Sequence, residues 1–344
     1  MIVKWNKINS KLAPVGIVGI GSHVPKRVLT NFDLERIVDT SDEWIKTRTG
    51  IIQRRIAGET ICTSDLASEA ARKALVDANL DTRDVDLIIV ATASPDMIFP
   101  STACLTQHKI GANCPAFDIS AACTGFVYGL SIASQCIATG LFETTLLIGA
   151  DALTRYVNWL DRSTCILFGD GAGAVVLQRV EEGYGILANY LAADGSGSDL
   201  LKIPAGGALI PGSEESVKDG LHHIHMSGNE VFKFAVRAIP DAAKGALNLA
   251  NLSIEDVDYF IPHQANKRII ETAVAKLKIS PDKVVTNLYK YGNTSTASIP
   301  LALDEIWREG KLKRGDILLF VGFGAGLTWG ANVVRWSKEV SNGL

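Results

Sequence analysis

The chain has 344 residues, which is long enough for one large domain or two ordinary ones with a substantial core. Hydrophobic residues make up 47% of the chain and charged residues 21%, a composition typical of soluble α/β proteins. The net charge of −3 argues against a polyanion-binding surface, so we expect no nucleic acid partner.

Strands and helices alternate along the N-terminal half. The longest apolar runs are continuous, as in strands that are covered on both faces. The predicted elements are a strand at 15–21, short helices at 31–38 and 41–47, an amphipathic helix at 63–79, a strand at 86–93, a helix at 101–109, and strands at 116–119 and 144–150, followed at 168–177 by a glycine-rich approach to a further strand.

Residues 119–142 contain no charged side chain, and small residues recur among them. A helix that is apolar on all sides is a buried helix, so this run predicts a helix in the core. Asp118 and Ser120 are N-cap candidates, and Gly140 is a candidate stop. Cys123 would then lie in the first helical turn, where free N–H groups and the helix dipole favour a thiolate. The alternative is that Cys123 is an ordinary buried cysteine.

The cysteines and the same apolar run also indicate where the protein functions. None of the six cysteines forms a Cys-x-x-Cys pair, and several lie in apolar surroundings, which favours a reduced, intracellular protein. The run at 119–142 is long enough to cross a bilayer, but polar side chains are distributed along it, among them Ser120, Thr124, Ser131, Ser134 and Gln135. We therefore expect a soluble, cytoplasmic protein with no membrane insertion.

The second half of the sequence repeats the pattern of the first. Residues 71–90 have a counterpart at 243–262, an offset of 172 residues. The same offset places Cys123 opposite Ser295, near the start of a second helix rich in small residues. A third pair of elements, two apolar strands, matches within one residue of this offset.

These matches predict two similar α/β halves, residues 1–180 and 181–344, related by a pseudo-twofold axis. Because each half alternates strands with helices, we expect mostly parallel sheets. The two apolar helices, one from each half, are candidates for a shared central layer.

Polar side chains follow the repeated elements of the second half. His263 comes directly after a buried strand, and Asn293 lies near the start of the helix equivalent to the one that begins at Cys123. Open α/β sheets place function at the carboxyl ends of parallel strands. If the halves are symmetric, Cys123, His263 and Asn293 can converge on one catalytic site. A single histidine is more often structural, so the prediction depends on all three residues together.

Five motifs together resemble those of the β-ketoacyl-acyl carrier protein synthase III family, part of the thiolase-like superfamily. The resemblance covers essentially the whole chain after residue 14. The motifs lie at residues 39–51, 120–126, 168–173, 262–269 and 292–300.

This resemblance implies an α/β fold of five layers, αβαβα, built from two duplicated halves. It also implies an acyltransferase that performs a decarboxylating Claisen condensation of a short-chain acyl-CoA with malonyl-acyl carrier protein. The product, a β-ketoacyl-acyl carrier protein, would initiate type II fatty acid synthesis. Acetyl-CoA is the expected starter, with propionyl-CoA next. The family pattern further implies a homodimer, acyl carrier protein as partner, and no cofactor or metal.

The resemblance also assigns roles to residues. Cys123 is the acyl-accepting nucleophile, and His263 and Asn293 complete the catalytic group. Gly326 is assigned as an oxyanion donor together with the Cys123 N–H, and Phe99 lies at the acyl pocket of the partner subunit. Coenzyme A is bound by Trp44 and Arg162 around adenine, by Arg48 near the phosphates, and by Gly228, Asn229 and Asn266 along pantetheine. Docking of acyl carrier protein is assigned to Gln264, Lys267 and Arg268.

Two other patterns predict no site. The glycine-rich stretches at 16–21 and 169–173 lack the order of a dinucleotide-binding loop, and we reject both. His222, His223 and His225 are spaced like metal ligands, but the family carries no metal there.

Four rival functions remain open. A plant-type polyketide synthase also uses cysteine, histidine and asparagine, and a related enzyme could use another starter or acceptor. A cysteine hydrolase would release free acid from acyl-CoA. A catalytically inactive scaffold is the fourth rival, since a fold alone never proves activity.

Overall fold

Thirteen strands and eleven α-helices are present in the part of the chain that the computed structural model describes, residues 12–339. The ends of the two predicted halves, residues 1–11 and 340–344, lie outside the described residues. The strands are β1 (Val15–His23), β2 (Val28–Thr30), β3 (Gln53–Arg55), β4 (Leu87–Ala91), β5 (Ala116–Ile119), β6 (Thr145–Asp151), β7 (Gly171–Arg179), β8 (Gly185–Ala193), β9 (Leu201–Lys202), β10 (His225–Met226), β11 (Tyr259–Pro262), β12 (Ile317–Gly324) and β13 (Thr328–Arg335).

The helices differ widely in length. They are α1 (Asn31–Leu34), α2 (Asp42–Thr49), α3 (Thr63–Ala78), α4 (Thr102–Ile110), α5 (Gly125–Ala138), α6 (Arg162–Cys165), α7 (Glu214–Lys218), α8 (Gly228–Ala250), α9 (Lys267–Leu277), α10 (Leu288–Tyr291) and α11 (Ser298–Arg308). None of these helices is both long and apolar enough to cross a bilayer, a statement that covers the described residues only.

Two mixed sheets have the same strand order. Read from the edge at β5, the first runs β5-β4-β6-β7-β1. The second runs β11-β12-β13-β8, in which β11 corresponds to β4. Beyond β11, an isolated parallel bridge between Phe260 and Val284 occupies the place that β5 has beside β4. This correspondence is the structural form of the sequence repeat. We propose that the boundary between the halves lies near residue 180, in the connection from β7 to β8.

The prediction of mostly parallel sheets was wrong. Strand β4 is parallel to β5 and β6, but β7 is antiparallel to both β1 and β6. In the second sheet β13 is antiparallel to both of its neighbours. Only three residues join β12 to β13, and a connection that short can only form an antiparallel pair.

Helices α5 and α11 lie between the two sheets. Helix α5 contacts β4, β6 and β7 of the first sheet and β12, β13 and β8 of the second. Helix α3 covers the outer face of the first sheet, and α8 covers the outer face of the second. Helix α4 packs on α3, and α9 packs on α8. This order confirms the five layers predicted for the fold.

A short 3₁₀ turn precedes each central helix. The first turn covers residues 122–124 and the second covers 295–297. Each begins with a left-handed residue, Ala122 at φ 42° and Ser295 at φ 50°, and the two turns are in contact. The true offset at these turns is therefore 295 − 122 = 173 residues, so Cys123 corresponds to Thr296. The predicted pairing of Cys123 with Ser295 was wrong by one residue.

The central helix begins later than predicted. Because Ala122 is left-handed, a right-handed helix cannot run through it, and α5 starts at Gly125. Asp118 does not cap this helix. Its carboxylate accepts the N–H groups of Thr102 and Ala103, both at 2.7 Å, and so caps α4 instead.

Candidate active site

Cys123, His263 and Asn293 line one cavity of about 350 Å³, which we call the first cavity. Cys123 lies in the turn between β5 and α5, and His263 directly follows β11. Asn293 lies two residues before the second 3₁₀ turn. The three residues come from both halves, so the site forms where the two turns meet.

The Cys123 thiol is buried, with a relative exposure of 7%. Strand β12 passes so close that a Cβ on Gly324 would lie 3.0 Å from the Cys123 Cβ. Burial raises the pKa of the thiol to about 12, against the expected thiolate. The hydroxyl of Ser295 lowers this pKa, and the charge of Asp151 raises it. The resting side chain is therefore a protonated thiol at neutral pH.

His263 is held as a neutral imidazole. Its side chain is 1% exposed and lies edge-on against Phe323, with ring centroids 5.2 Å apart. Burial lowers the pKa of His263 to about 3. The Nδ1 atom lies 2.7 Å from Ser298 Oγ, which also accepts the N–H of Gln264 at 3.3 Å. If the Ser298 hydroxyl donates a hydrogen bond to Nδ1, each of these groups has a partner and Nε2 carries the proton of the neutral imidazole.

Asn293 is fixed by its backbone and by its side-chain oxygen. Its N–H donates to Leu167 O at 2.8 Å, and its carbonyl accepts the N–H of Gly169 at 3.0 Å. Its Oδ1 accepts the N–H of Ser295 at 2.9 Å. The amide N–H groups of Asn293 are therefore the part of the side chain that is available to a ligand.

The first cavity also contains most of the residues predicted to bind coenzyme A. Trp44, Arg48, Gly228, Asn229 and Asn266 line it together with the three candidate catalytic residues. Asn266 caps α9, and its Nδ2 donates to the carbonyl of Arg48 at 3.2 Å.

Arg162 lies at one side of Trp44. Its guanidinium carbon is 4.9 Å from the centroid of the Trp44 ring, a cation–π distance. The guanidinium of Arg48 lies 6.0 Å from the same centroid. The structure thus brings the two residues predicted to enclose adenine next to each other.

Gln264 does not fit the predicted role in docking a carrier protein. Its side chain is 1% exposed. Its Nε2 donates to Pro262 O and Val285 O, and its Oε1 accepts the N–H of Asn287. A buried amide with all these bonds braces the segment around His263 and cannot reach a partner. Lys267 and Arg268, by contrast, are exposed at the start of α9.

Two other predicted residues, Phe99 and Gly326, do not line the cavities of the site. Phe99 is 82% exposed and lines neither cavity of the site. Gly326 lies in the turn between β12 and β13 with φ 137°. It comes two residues after Gly324, which contacts Cys123, and directly after Ala325, which lines the second cavity described below.

A second cavity of about 270 Å³ meets the first at Cys123. Apolar side chains line much of it, including Leu153, Leu201, Ile203 and Ile224. Sequence reasoning missed these residues because they come from short segments around residues 153, 201–203 and 224 and carry no motif. The Ser295 hydroxyl and the contact of Ser298 with His263 were missed for a different reason, since both lie inside a recognised motif as ordinary serines.

Two of the three neighbouring histidines form side-chain hydrogen bonds. His222 Nε2 lies 2.9 Å from Ser216 Oγ, and His225 Nε2 lies 3.2 Å from Gly220 O. Within residues 12–339 no group of three or more histidine, cysteine or acidic side chains is arranged to hold a metal. All six cysteines are free.

Two family models match the sequence. The one described as 3-oxoacyl-[acyl-carrier-protein (ACP)] synthase III matches residues 117–195, and the one described as its C terminal matches residues 247–336. A curated β-ketoacyl-[acyl-carrier-protein] synthase III from Caldanaerobacter subterraneus is 58% identical over 324 residues. That alignment covers 94% of this chain and 98% of the relative.

Solved structures give the same result. The 3-oxoacyl-[acyl-carrier-protein] synthase III from Aquifex aeolicus superimposes with a TM-score of 0.87 at 50% identity, over 94% of this chain and 100% of that chain. The priming β-ketosynthase from the R1128 polyketide biosynthetic pathway gives a TM-score of 0.88 at 34% identity, over 96% and 98% of the two chains. Both similarities extend over nearly the full length.

Proposed function

Because the chain belongs to the β-ketoacyl-acyl carrier protein synthase III family, we propose that it condenses a short-chain acyl group from coenzyme A with malonyl-acyl carrier protein. The reaction is the initiating step of type II fatty acid synthesis, and the fold is thiolase-like as predicted. The observation that carries the proposal is the meeting of Cys123, His263 and Asn293 at the end of a cavity that begins at Trp44 and Arg48.

The first step loads Cys123. Its sulfur attacks the carbonyl carbon of the acyl-CoA thioester, and the bond from that carbon to the coenzyme A sulfur breaks. The thiol proton of Cys123 ends on the departing coenzyme A sulfur, so the step is balanced without a redox partner. A thiol suits this work because its anion is both a good nucleophile and a good leaving group.

The second step uses the two neutral N–H donors. Malonyl-acyl carrier protein loses carbon dioxide, and negative charge develops on the thioester oxygen of the resulting enolate. His263 Nε2–H and the amide of Asn293 donate hydrogen bonds to that oxygen. The enolate carbon then attacks the acyl carbonyl on Cys123, and the thiolate leaves and takes a proton from water.

The attack on the acyl group creates a second negative oxygen. The N–H of Cys123 and the N–H of Gly326 are our candidates for its donors. The support for Gly326 is its position in the turn that follows Gly324, whose backbone contacts Cys123.

Recognition of the two carriers follows from the residues at the entrance. Trp44 and Arg162 would hold the adenine by stacking, Arg48 would lie near the phosphates, and Gly228, Asn229 and Asn266 would border the pantetheine arm. Lys267 and Arg268 are the candidate docking residues for acidic acyl carrier protein, because both are exposed beside the cavity mouth formed by Asn266. No cofactor or metal takes part in these steps.

Acetyl-CoA is the proposed starter, with propionyl-CoA next. The second cavity, beside Cys123, would hold the acyl group, and its apolar walls suit a hydrocarbon chain. We also propose a cytoplasmic homodimer in which Phe99 of one subunit narrows the second cavity of the other. The exposure of Phe99 supports this arrangement.

A second candidate function is polyketide priming, in which the same chemistry starts a different pathway. The similarity to a priming β-ketosynthase over 96% of the chain favours it, although at 34% identity. A panel of acyl-CoA starters and two acceptor carrier proteins, one from each type of pathway, would separate the candidates.

The proposed function is tested by intact-mass spectrometry of the protein after incubation with acetyl-CoA. We expect an added acetyl group on the wild type and none on Cys123→Ser, because serine lacks a comparably acidic group. Addition of malonyl-acyl carrier protein should remove the acetyl group and yield acetoacetyl-acyl carrier protein. An adduct on Cys123→Ser at the wild-type rate would exclude Cys123 as the nucleophile.

A further inference from the structure

Ser295 places a buried hydroxyl beside the reacting sulfur. The residue is 1% exposed, and its Oγ has no hydrogen-bond partner among residues 12–339. It lines the second cavity together with Cys123. Buried hydroxyl groups are normally paired, so an unpaired one at the site of chemistry requires an explanation.

The backbone at this position does not require serine. The equivalent position in the other half is Ala122, which has nearly the same left-handed conformation, φ 42° against 50°. Alanine therefore fits the turn. The backbone N–H of Ser295 holds Asn293 Oδ1, but any residue other than proline would supply that N–H. The fold thus accounts for the backbone of Ser295 and leaves its hydroxyl without a structural role.

The Cys123 thiol lines the same cavity as this hydroxyl. Burial makes the thiolate unfavourable, and the Ser295 hydroxyl is the side chain that lowers the pKa of Cys123. Asp151, the nearby carboxylate that raises this pKa, is already bonded to Thr92, Ser94 and Thr296. Hydrogen bonds to a charged acceptor are about twice as strong as those between neutral groups.

We propose that Ser295 is a further catalytic residue, whose hydroxyl donates a hydrogen bond to the Cys123 sulfur while that sulfur carries negative charge. This happens twice in the proposed reaction, when the thiolate attacks acyl-CoA and when it leaves after the condensation. Ser295 keeps its own proton throughout. The proton of the thiol still ends on the coenzyme A sulfur, so Ser295 stabilises charge and transfers nothing.

The test is the rate at which iodoacetamide alkylates Cys123, measured from pH 7 to pH 10 in wild type, Ser295→Ala and Ser295→Gly. Loss of the hydrogen bond should raise the thiol pKa by about one to two units, which reduces the thiolate tenfold per unit. Higher intrinsic nucleophilicity recovers part of that loss. We expect alkylation to be about 3- to 15-fold slower in both variants, and acetyl transfer from acetyl-CoA to slow in parallel.

Two variants separate the hydroxyl from the backbone. Glycine relieves the left-handed strain that serine and alanine share, so an effect common to both variants reports the lost hydroxyl. Thr106→Val is the matched control, because it removes another buried hydroxyl without a partner, on α4 and outside the site. It should be alkylated at the wild-type rate. Thermal unfolding of each variant confirms that the comparison is made on folded protein.

The inference rests on the proposed acyl transfer, but alkylation needs no acyl-CoA, so the two can fail separately. Wild-type alkylation rates in both Ser295 variants would overturn the role of the hydroxyl, whatever the substrate is. A slow rate in Ser295→Ala alone would also overturn it and assign the effect to the backbone. Slow alkylation in both variants, without any acetyl adduct on the wild type, would support Ser295 and reject the proposed substrate.

Discussion

The His263 imidazole is surrounded by groups that favour its uncharged form. Phe323 covers the ring, and Ser298 is the hydrogen-bond partner of Nδ1. Many catalytic histidines work beside a carboxylate, which favours the imidazolium ion and general-base chemistry. A histidine whose pKa is lowered to about 3 instead remains a neutral donor throughout the physiological range. This property suits an enolate oxygen that needs hydrogen bonds but no proton.

The low pKa of His263 predicts a pH dependence of stability. Between pH 6.5 and about 3 the unfolded chain binds a proton at this residue and the folded chain does not, so stability falls as pH falls. His263→Ala removes this contribution. The difference in unfolding free energy between wild type and variant should shrink by up to about 1.4 kcal/mol per pH unit below pH 6. Urea unfolding at pH 7, 6, 5 and 4.5 measures this difference. A difference that does not change with pH would show that folding does not lower the pKa of His263.

A division of labour is predicted within the catalytic group. His263→Ala and Asn293→Ala should slow malonyl decarboxylation by about 100-fold or more, because each removes a donor to the enolate oxygen. Loading of Cys123 should be affected far less, since no enolate forms in that step. Single-turnover loading of acetyl-CoA and release of carbon dioxide from malonyl-acyl carrier protein measure the two steps separately. Equal damage to both would contradict the assignment.

The meeting of Cys123, His263 and Asn293 could be predicted from the sequence because the three residues follow repeated elements. The role of a neighbouring residue could not. His263 and Gln264 are adjacent in one motif, and nothing in the sequence shows that Gln264 turns inward to bond Pro262, Val285 and Asn287. Side-chain direction after a strand depends on the loop conformation. The prediction of a thiolate at Cys123 was wrong for a similar reason. Burial, which the sequence does not show, raises the pKa of this thiol.

The 3₁₀ turns are the elements on which the site depends. Strand β6 passes so close to the second turn that it requires glycine at residue 149, where a Cβ would lie 2.3 Å from Thr296 O. The sequence predicted this strand and both central helices, since long apolar runs are clear signals. It did not predict the left-handed residue that begins each 3₁₀ turn, because alanine and serine rarely adopt that conformation.

Gly149→Ala tests the contact between β6 and the second turn. The added methyl group would meet backbone, which cannot rotate away, and we expect a loss of about 1–3 kcal/mol or more in unfolding free energy. Acyl transfer should fall as well, because the displaced turn carries Ser295. The matched control is Gly195→Ala, where a Cβ would meet nothing within 4 Å. Urea unfolding should show the control unchanged or slightly stabilised; similar losses in both variants would contradict the explanation.

At the scale of the whole molecule, the loop that contains Phe99 exposes apolar side chains on the surface of the single chain. Ile98 and Phe99 are among the most exposed large apolar side chains of the described residues. Exposed apolar loops of this kind are typical of interfaces. The sequence predicted the loop at a dimer interface through the family resemblance. In that dimer the acyl pocket of each subunit would be completed by its partner.

Phe99→Ala should shift the preference for starters towards longer chains. If Phe99 limits the second cavity of the partner, the smaller residue opens space there, and turnover of butyryl-CoA should rise relative to acetyl-CoA. One methylene is worth roughly 1–3 kcal/mol in such a pocket, so the ratio should change at least several-fold. Ile98→Ala, in the same loop, is the control for altered packing. A stable dimer in sedimentation with an unchanged chain-length profile would leave Phe99 as an interface residue only.

The two cavities have three lining residues in common, Cys123, Phe168 and Leu201. A fragment seated in either cavity therefore ends beside the same sulfur atom. For inhibitor design, two weak fragments found separately could be joined through a mild electrophile placed at that point. Affinity would then come from the two seated parts, and the bond to sulfur would prolong residence without demanding a reactive warhead. Selectivity over other cellular thiols would come from the shape of the paired cavities.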